Sequence, residues 1–101
     1  MRILHLALAS DWESARDAGA YEISTRGLTL AEVGFVHAAT ADQLPGVAQR
    51  FYAEVAEPLV LLVLEAAGSP VRWERTPEGV FPHVHGPVPV AAVVAVRRVR
   101  L

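Results

Sequence analysis

The chain is expected to fold as a single α+β domain, and three observations predict it. Its 101 residues are enough for one hydrophobic core and leave no room for a second. Just over half of them (52%) are apolar, and no low-complexity tract interrupts them, as a packed globule requires. The apolar residues fall into two early helical stretches and then a run of strands. That order favours a mixed or antiparallel sheet over alternating β–α units.

Residues 2–8 are mostly apolar and read as a first, central strand. Ser10-Asp-Trp-Glu13 matches a capping box with Ser10 as N-cap, so a short helix should run to about Ala18 and stop at Gly19. Tyr21 to Ser24 suits a short strand. Leu28 to Val33 reads as a connecting turn opened by the Thr29–Glu32 capping pattern. Gly34 to Ala39 is the second clear strand. Leu44, Val47, Ala48, Phe51, Tyr52 and Val55 form one apolar helical stripe, and Pro45 places the helix start near Leu44. Leu59 to Glu65 is a continuous apolar strand, buried on both faces if the sheet is covered. Arg72 to Arg75 is a short strand. Phe81 to Val90 carries Pro82, Pro87 and Pro89, which should confine it to an edge or a bulge. Ala91 to Val99 closes the chain as a β-branched strand, an edge on which a second copy could form a homodimer.

Composition removes several chemistries. Without cysteine there is no disulfide, thiolate metal site or cysteine nucleophile. All nine basic residues are arginine, so Schiff-base chemistry and a phosphate-loop lysine are impossible. A net charge of −2 argues against general nucleic-acid binding, and Arg97, Arg98 and Arg100 suit the solvent face of an edge strand. No apolar run is long enough to cross a bilayer, and no signal peptide is evident, so a cytoplasmic location is expected.

What remains is histidine. His5, His37, His83 and His85 all lie in or beside strand-like apolar runs, which suggests a polar pocket of imidazoles. His83 and His85 share one face of a strand and could be half of a metal site. A third ligand would have to come from His5, His37 or Glu74. Trp73 and Glu74 could offer an aromatic platform and a carboxylate to a ligand, or could be a core indole and a surface ion pair. Thr40 stands at a strand–helix junction, where free N–H groups attract anions, and with Gln43 it also fits a capping box. Arg50 falls off the apolar stripe and reads as solvated; Trp12 reads as core. No Walker, dinucleotide-fingerprint or nucleophile-elbow pattern is present.

Ile3-Leu-His5, Trp12, Gly34-Phe-Val-His-Ala-Ala-Thr40, Gln43, Phe51-Tyr52, Leu61–Leu64, Arg72-Trp-Glu74 and Phe81-Pro-His-Val-His-Gly-Pro87 together resemble the bacterial family of domain of unknown function 952. The resemblance spans the whole chain. It departs at His85, where the family pattern has an aromatic, and that departure argues against a metal ligand there. The resemblance implies an ADP-ribosyltransferase-like fold, a split mixed β-sheet with two main helices and a cleft for NAD. His5, and Val36-His37 with Thr40, are similar to two elements of the RNA 2′-phosphotransferases. Glu74 is similar to the late-strand glutamate of the transferases.

The expected catalytic set is therefore His5, His37 and Glu74, with Thr40, Trp73, Phe81, His83 and His85 binding NAD, ADP-ribose or a related nucleotide. NAD would be a substrate for transfer or hydrolysis of the ribosyl group, and no metal is expected. The alternatives are a ligand-binding module that has lost the chemistry, and a metal-dependent enzyme built on His83 and His85.

Overall fold

Strand β1 (Arg2–Leu8) runs straight into helix α1 (Ala9–Ala18) in a computed structural model that describes residues 1–100. The chain continues through β2 (Ala20–Tyr21), β3 (Ile23–Thr25), β4 (Leu28–Thr29), α2 (Leu30–Val33) and β5 (Val36–His37) to helix α3 (Leu44–Tyr52). Strands β6 (Leu59–Glu65), β7 (Val71–Thr76), β8 (Gly79–Val84), β9 (Val88–Pro89) and β10 (Val93–Val99) follow, with a 3-10 turn at Val90–Ala92. The class is α+β, as the order of the sequence elements predicts.

The sheet is split into two three-stranded halves, β1-β6-β10 and β5-β8-β7. Every ladder among the described residues is antiparallel, so the mixed sheet implied by the family resemblance is not what forms. β1 is an edge of its half rather than the central strand; β6, the most apolar strand, takes the centre. At the free side of β1 the halves touch through one bridge. Leu4 N–H donates to Ala39 O and Ala39 N–H to Leu4 O, each at 2.8 Å.

β8 lies in the middle of its half, against the expectation that its prolines would push it to an edge. The side on which Pro82 lacks a donor explains this. A residue's N and O point to the same side of a strand, and Pro82 O accepts from Ala38 N at 3.1 Å. Its missing N–H therefore faces the end of the two-residue β5, and the six-pair ladder with β7 is intact.

Helix α1 begins at Ala9, with Leu8 in the N-cap position and no side-chain cap, so Ser10 is not the cap that its pattern suggests. The ladder with β6 extends to Leu8↔Leu59, and Pro58 O accepts from Ala9 N at 2.9 Å. The helix thus starts where the ladder ends, two residues earlier than a Ser10 cap would place it. Gly19 ends the helix in the left-handed conformation at φ 92°, as expected. The Thr29–Glu32 capping box does form, and opens the short α2. The pair Thr40 and Gln43 forms half a box: Gln43 Oε1 accepts from Thr40 N, while its amide donates to Val80 O at 2.6 Å and ties the approach of α3 to β8.

The first half-sheet is covered on both faces. Ile3, Ala7, Val60, Leu62 and Leu64 face a core shared with Trp12 and Ala15 of α1 and with Val36 and Val84 of the second half. Leu6 and Leu59 face Ala48 and Tyr52 of α3. Tyr52 also bonds two backbones: its hydroxyl donates to Leu6 O at 3.0 Å and accepts from Arg26 N at 3.2 Å. Burial pushes the pKa of this phenol up to about 12, which keeps it a donor. Removing it in Tyr52→Phe strands two backbone groups and should cost about 1–3 kcal/mol. Urea denaturation checks this as a lower midpoint at unchanged m-value.

Candidate functional site

A cleft opens where the two half-sheets part. Leu4, His5, Leu6, Ala38 and Ala39 form its floor, with Ser24 and Thr25 from β3 beside them. Val47, Arg50, Phe51 and Tyr52 of α3 make one wall, and Thr76, Glu78, Phe81 and His83 from the β7–β8 hairpin make the other. The enclosed interior is about 50 Å³, room for a few waters.

His5 lies at the base, buried, with both ring nitrogens used. Nδ1–H donates to the His37 carbonyl, and Nε2 accepts from the Tyr21 hydroxyl at 2.9 Å. Burial holds the Tyr21 phenol far above its usual range, so its O–H stays in place to donate to Nε2. Burial likewise drives the His5 pKa from 6.5 to about 4, opposed in part by its backbone bond, and the imidazole is neutral.

His37 reaches the same space from β5. Its Nδ1 is 3.0 Å from the Ser24 hydroxyl and 3.1 Å from that of Thr25. With Nδ1 accepting, the ring proton belongs to Nε2. Burial, and secondarily the neighbouring His83, lower its pKa. The His37 and His83 rings meet edge-on, 5.2 Å between centroids.

His83 is held by a carboxylate. Glu74 Oε1 lies 2.7 Å from His83 Nδ1 and 2.7 Å from His85 Nε2, and as a carboxylate it accepts from both. Those two bonds, that of His85 first, hold the Glu74 pKa below the usual carboxylate value. In its neutral form His83 thereby carries its proton on Nδ1 and its lone pair on Nε2. That Nε2 is buried and has no hydrogen-bond partner among the described residues. Phe35 stacks on the ring at 4.0 Å and 13°.

Of the residues singled out from the sequence, His5, His37, His83 and Phe81 line the cleft. Glu74 and His85 stand behind His83 rather than on the lining. Thr40 is half-buried near the bridge and engaged through its backbone with Gln43. Trp73 is 46% exposed and pairs with Pro82 on the face opposite to Glu74, so it is neither core nor beside the imidazoles. Arg50, read as solvated, is exposed but leans over the cleft, its guanidinium 5.7 Å from the Phe51 ring and 5.9 Å from that of Phe81. Ser24, Thr25 and Glu78 were not singled out. The helical period places Arg50 one residue from Phe51 and four from Gly46, the only signal that could have found it; short polar residues in a hairpin give none.

The family model for "Protein of unknown function (DUF952)" matches residues 6–96, and the chain belongs to that family. It is similar to protein CC0527 from Caulobacter crescentus. The crystal structure of that protein is 28% identical, with a TM-score of 0.86 over 100% of this chain and 88% of the other. Its solution NMR structure is 27% identical, with a TM-score of 0.78 over 99% and 85% of the two chains. The chain matches no curated protein.

Neutral, buried His5 makes stability depend on pH. Its folded pKa lies below the unfolded value, so its contribution is complete above pH 6.5 and is lost as pH falls from 6.5 towards 4. That loss should be about 2 kcal/mol between pH 7 and pH 5. Denaturation midpoints at several pH values should show it. His5→Gln should flatten the profile at a lower overall stability; an equally steep profile in the variant would assign the loss to another group.

Proposed function

We propose that this DUF952 member binds a phosphorylated nucleotide of the NAD or ADP-ribose type, and that His83 moves a proton during transfer or hydrolysis of its ribosyl group. The observation that carries the reading is His83 Nε2, a buried lone pair without a partner on a ring whose other nitrogen a carboxylate holds. Leaving a buried polar atom unpaired costs about 1–3 kcal/mol, a cost that a bound hydroxyl or water removes. Carboxylate-oriented imidazoles of this kind act as general bases.

Around it, the cleft supplies what the proposed ligand needs. Arg50 and the Nε2–H of His37 can donate to phosphate oxygens. Phe51 and Phe81 offer apolar ring faces on either side of Arg50. In hydrolysis, water gives its proton to His83 Nε2 as its oxygen bonds to the anomeric carbon, and nicotinamide leaves with the bonding pair. Positive charge builds on the sugar, and Glu78 is the carboxylate on the cleft lining that could oppose it. With so small an enclosed space, only one polar end of the ligand enters; the rest lies across the rim. No helix among the described residues is long and apolar enough to cross a membrane.

A module that binds the nucleotide without reacting is the second reading. It is favoured by Glu74, the carboxylate expected to face the sugar, being occupied by two imidazoles instead.

Two assays on the whole chain decide. Titration with ADP-ribose should shift the ring resonances of His37 and His83, and Arg50→Ala should weaken binding about tenfold or more. Incubation with NAD should release nicotinamide, and His83→Gln should abolish release while sparing binding. Binding without release selects the module. No response of either histidine to ADP-ribose overturns both readings.

A further inference from the structure

We infer that Glu74, His83 and His85 form a binding site for one divalent transition-metal ion of the zinc class. Their donor atoms lie within 4.8 Å of one another, and one carboxylate oxygen is 2.7 Å from a nitrogen of each ring. Two imidazoles and a carboxylate are the set on which zinc keeps a fourth position for water and ferrous iron keeps open positions. From the sequence, the His-x-His pair is half of a metal site with its third ligand open among His5, His37 and Glu74, and the family pattern's aromatic at position 85 argues against a ligand there. Strand pairing supplies the third ligand.

The convergence is set by register. Glu74 stands opposite Phe81 on β7 and β8, so His83, two residues beyond, projects from the same face, and His85 continues that line. The backbone N–H of His85 donates to Pro70 O at 2.9 Å and fixes its position past the strand end. Phe35 backs both rings, 4.0 Å from His83 and 5.5 Å from His85, as an apolar wall that holds ligand orientation. On the open side the Glu74 side chain is 38% exposed, which gives an ion a way in. Neighbouring ligands around a tetrahedral ion at ~2.0–2.1 Å are separated by roughly 3.3 Å, so the Glu74 oxygen must move away from each ring nitrogen by about 0.6 Å.

Protons balance without release. Each neutral imidazole moves the proton that it now gives to Glu74 onto its other nitrogen, and the ion takes the freed lone pair. At His83 the proton arrives on Nε2, the unpartnered atom, which turns from acceptor to donor beside the cleft. Metal occupancy would thereby change what the cleft prefers to hold.

The test uses untagged protein stripped with a chelator and titrated with Zn²⁺ alone against a chromophoric competitor. One equivalent should bind, and Glu74→Gln and His85→Phe should each weaken it by at least about tenfold. If either variant fails to fold, the imidazole nitrogen resonances of the wild type decide: zinc should move those of His83 and His85 and leave those of His5 in place. The inference is overturned if no single tight equivalent binds, if folded variants bind as well as wild type, or if zinc shifts His37 but not His85. Titration with ADP-ribose in the absence of metal tests the ligand reading separately.

Discussion

Two half-sheets that share one residue pair have to diverge, and the divergence is what makes a cleft. Leu4 and Ala39 exchange both of their backbone hydrogen bonds, and neither neighbour extends the pairing. One residue along β1, His5 instead sends its ring across the gap to the His37 carbonyl. A longer ladder here would close the fork and bury its floor under backbone. A missing bridge would leave β1 and the Ala38–Ala39 segment with unpaired groups in an apolar core, which is costly. The fork is thus held open by a side chain placed where a further strand pair would otherwise be.

That construction divides the four imidazoles into distinct kinds. His5 is buried and bonded at both nitrogens, so it supports the fork. His37 is bonded at one nitrogen to hydroxyls of β3. His83 is bonded at one nitrogen to a carboxylate and left open at the other. His85, in the outer position, shares that carboxylate. Burial lowers the pKa of both His5 and His37, so these two act as neutral donors and acceptors rather than cations. Moving inward to outward, the rings go from structural to chemically available.

The sequence revealed the elements better than their neighbours. Hydrophobic period and glycine placement located β1, α1, α3 and β6 to within a residue or two, because those signals are local. Which strands lie side by side is decided by long-range burial, and there local rules misled: Pro82 argued for an edge until its open side was seen to face the end of β5. Ser10 had the chemistry of a cap, but the helix starts directly where the β1–β6 ladder ends, with Leu8 at the N-cap and Ser10 already inside the first turn. Alternation did place His83 and His85 together correctly. It could not select Glu74 over His5 or His37 as their partner, since that depends on the register of β7 against β8; applied to β7, it does set Trp73 on the face opposite to Glu74.

Electrostatics sharpen what kind of ligand the cleft can distinguish. Among the residues lining it, Arg50 is the only permanent cation and Glu78 the only carboxylate, so formal charge nearly cancels. Attraction by net charge is therefore weak, and salt would screen what there is at the exposed rim. Selectivity must come instead from the direction in which buried donors and acceptors point, where the low dielectric makes a mismatch expensive. The proton on His83 then matters more than any charge nearby. With it on Nδ1 the cleft ends in an acceptor and suits a hydroxyl or a water; with it on Nε2 the cleft ends in a donor and suits an anion. Glu74, outside the cleft, sets that choice because its oxygen accepts at Nδ1, which makes the residue behind the imidazole as decisive for recognition as any that a ligand would touch.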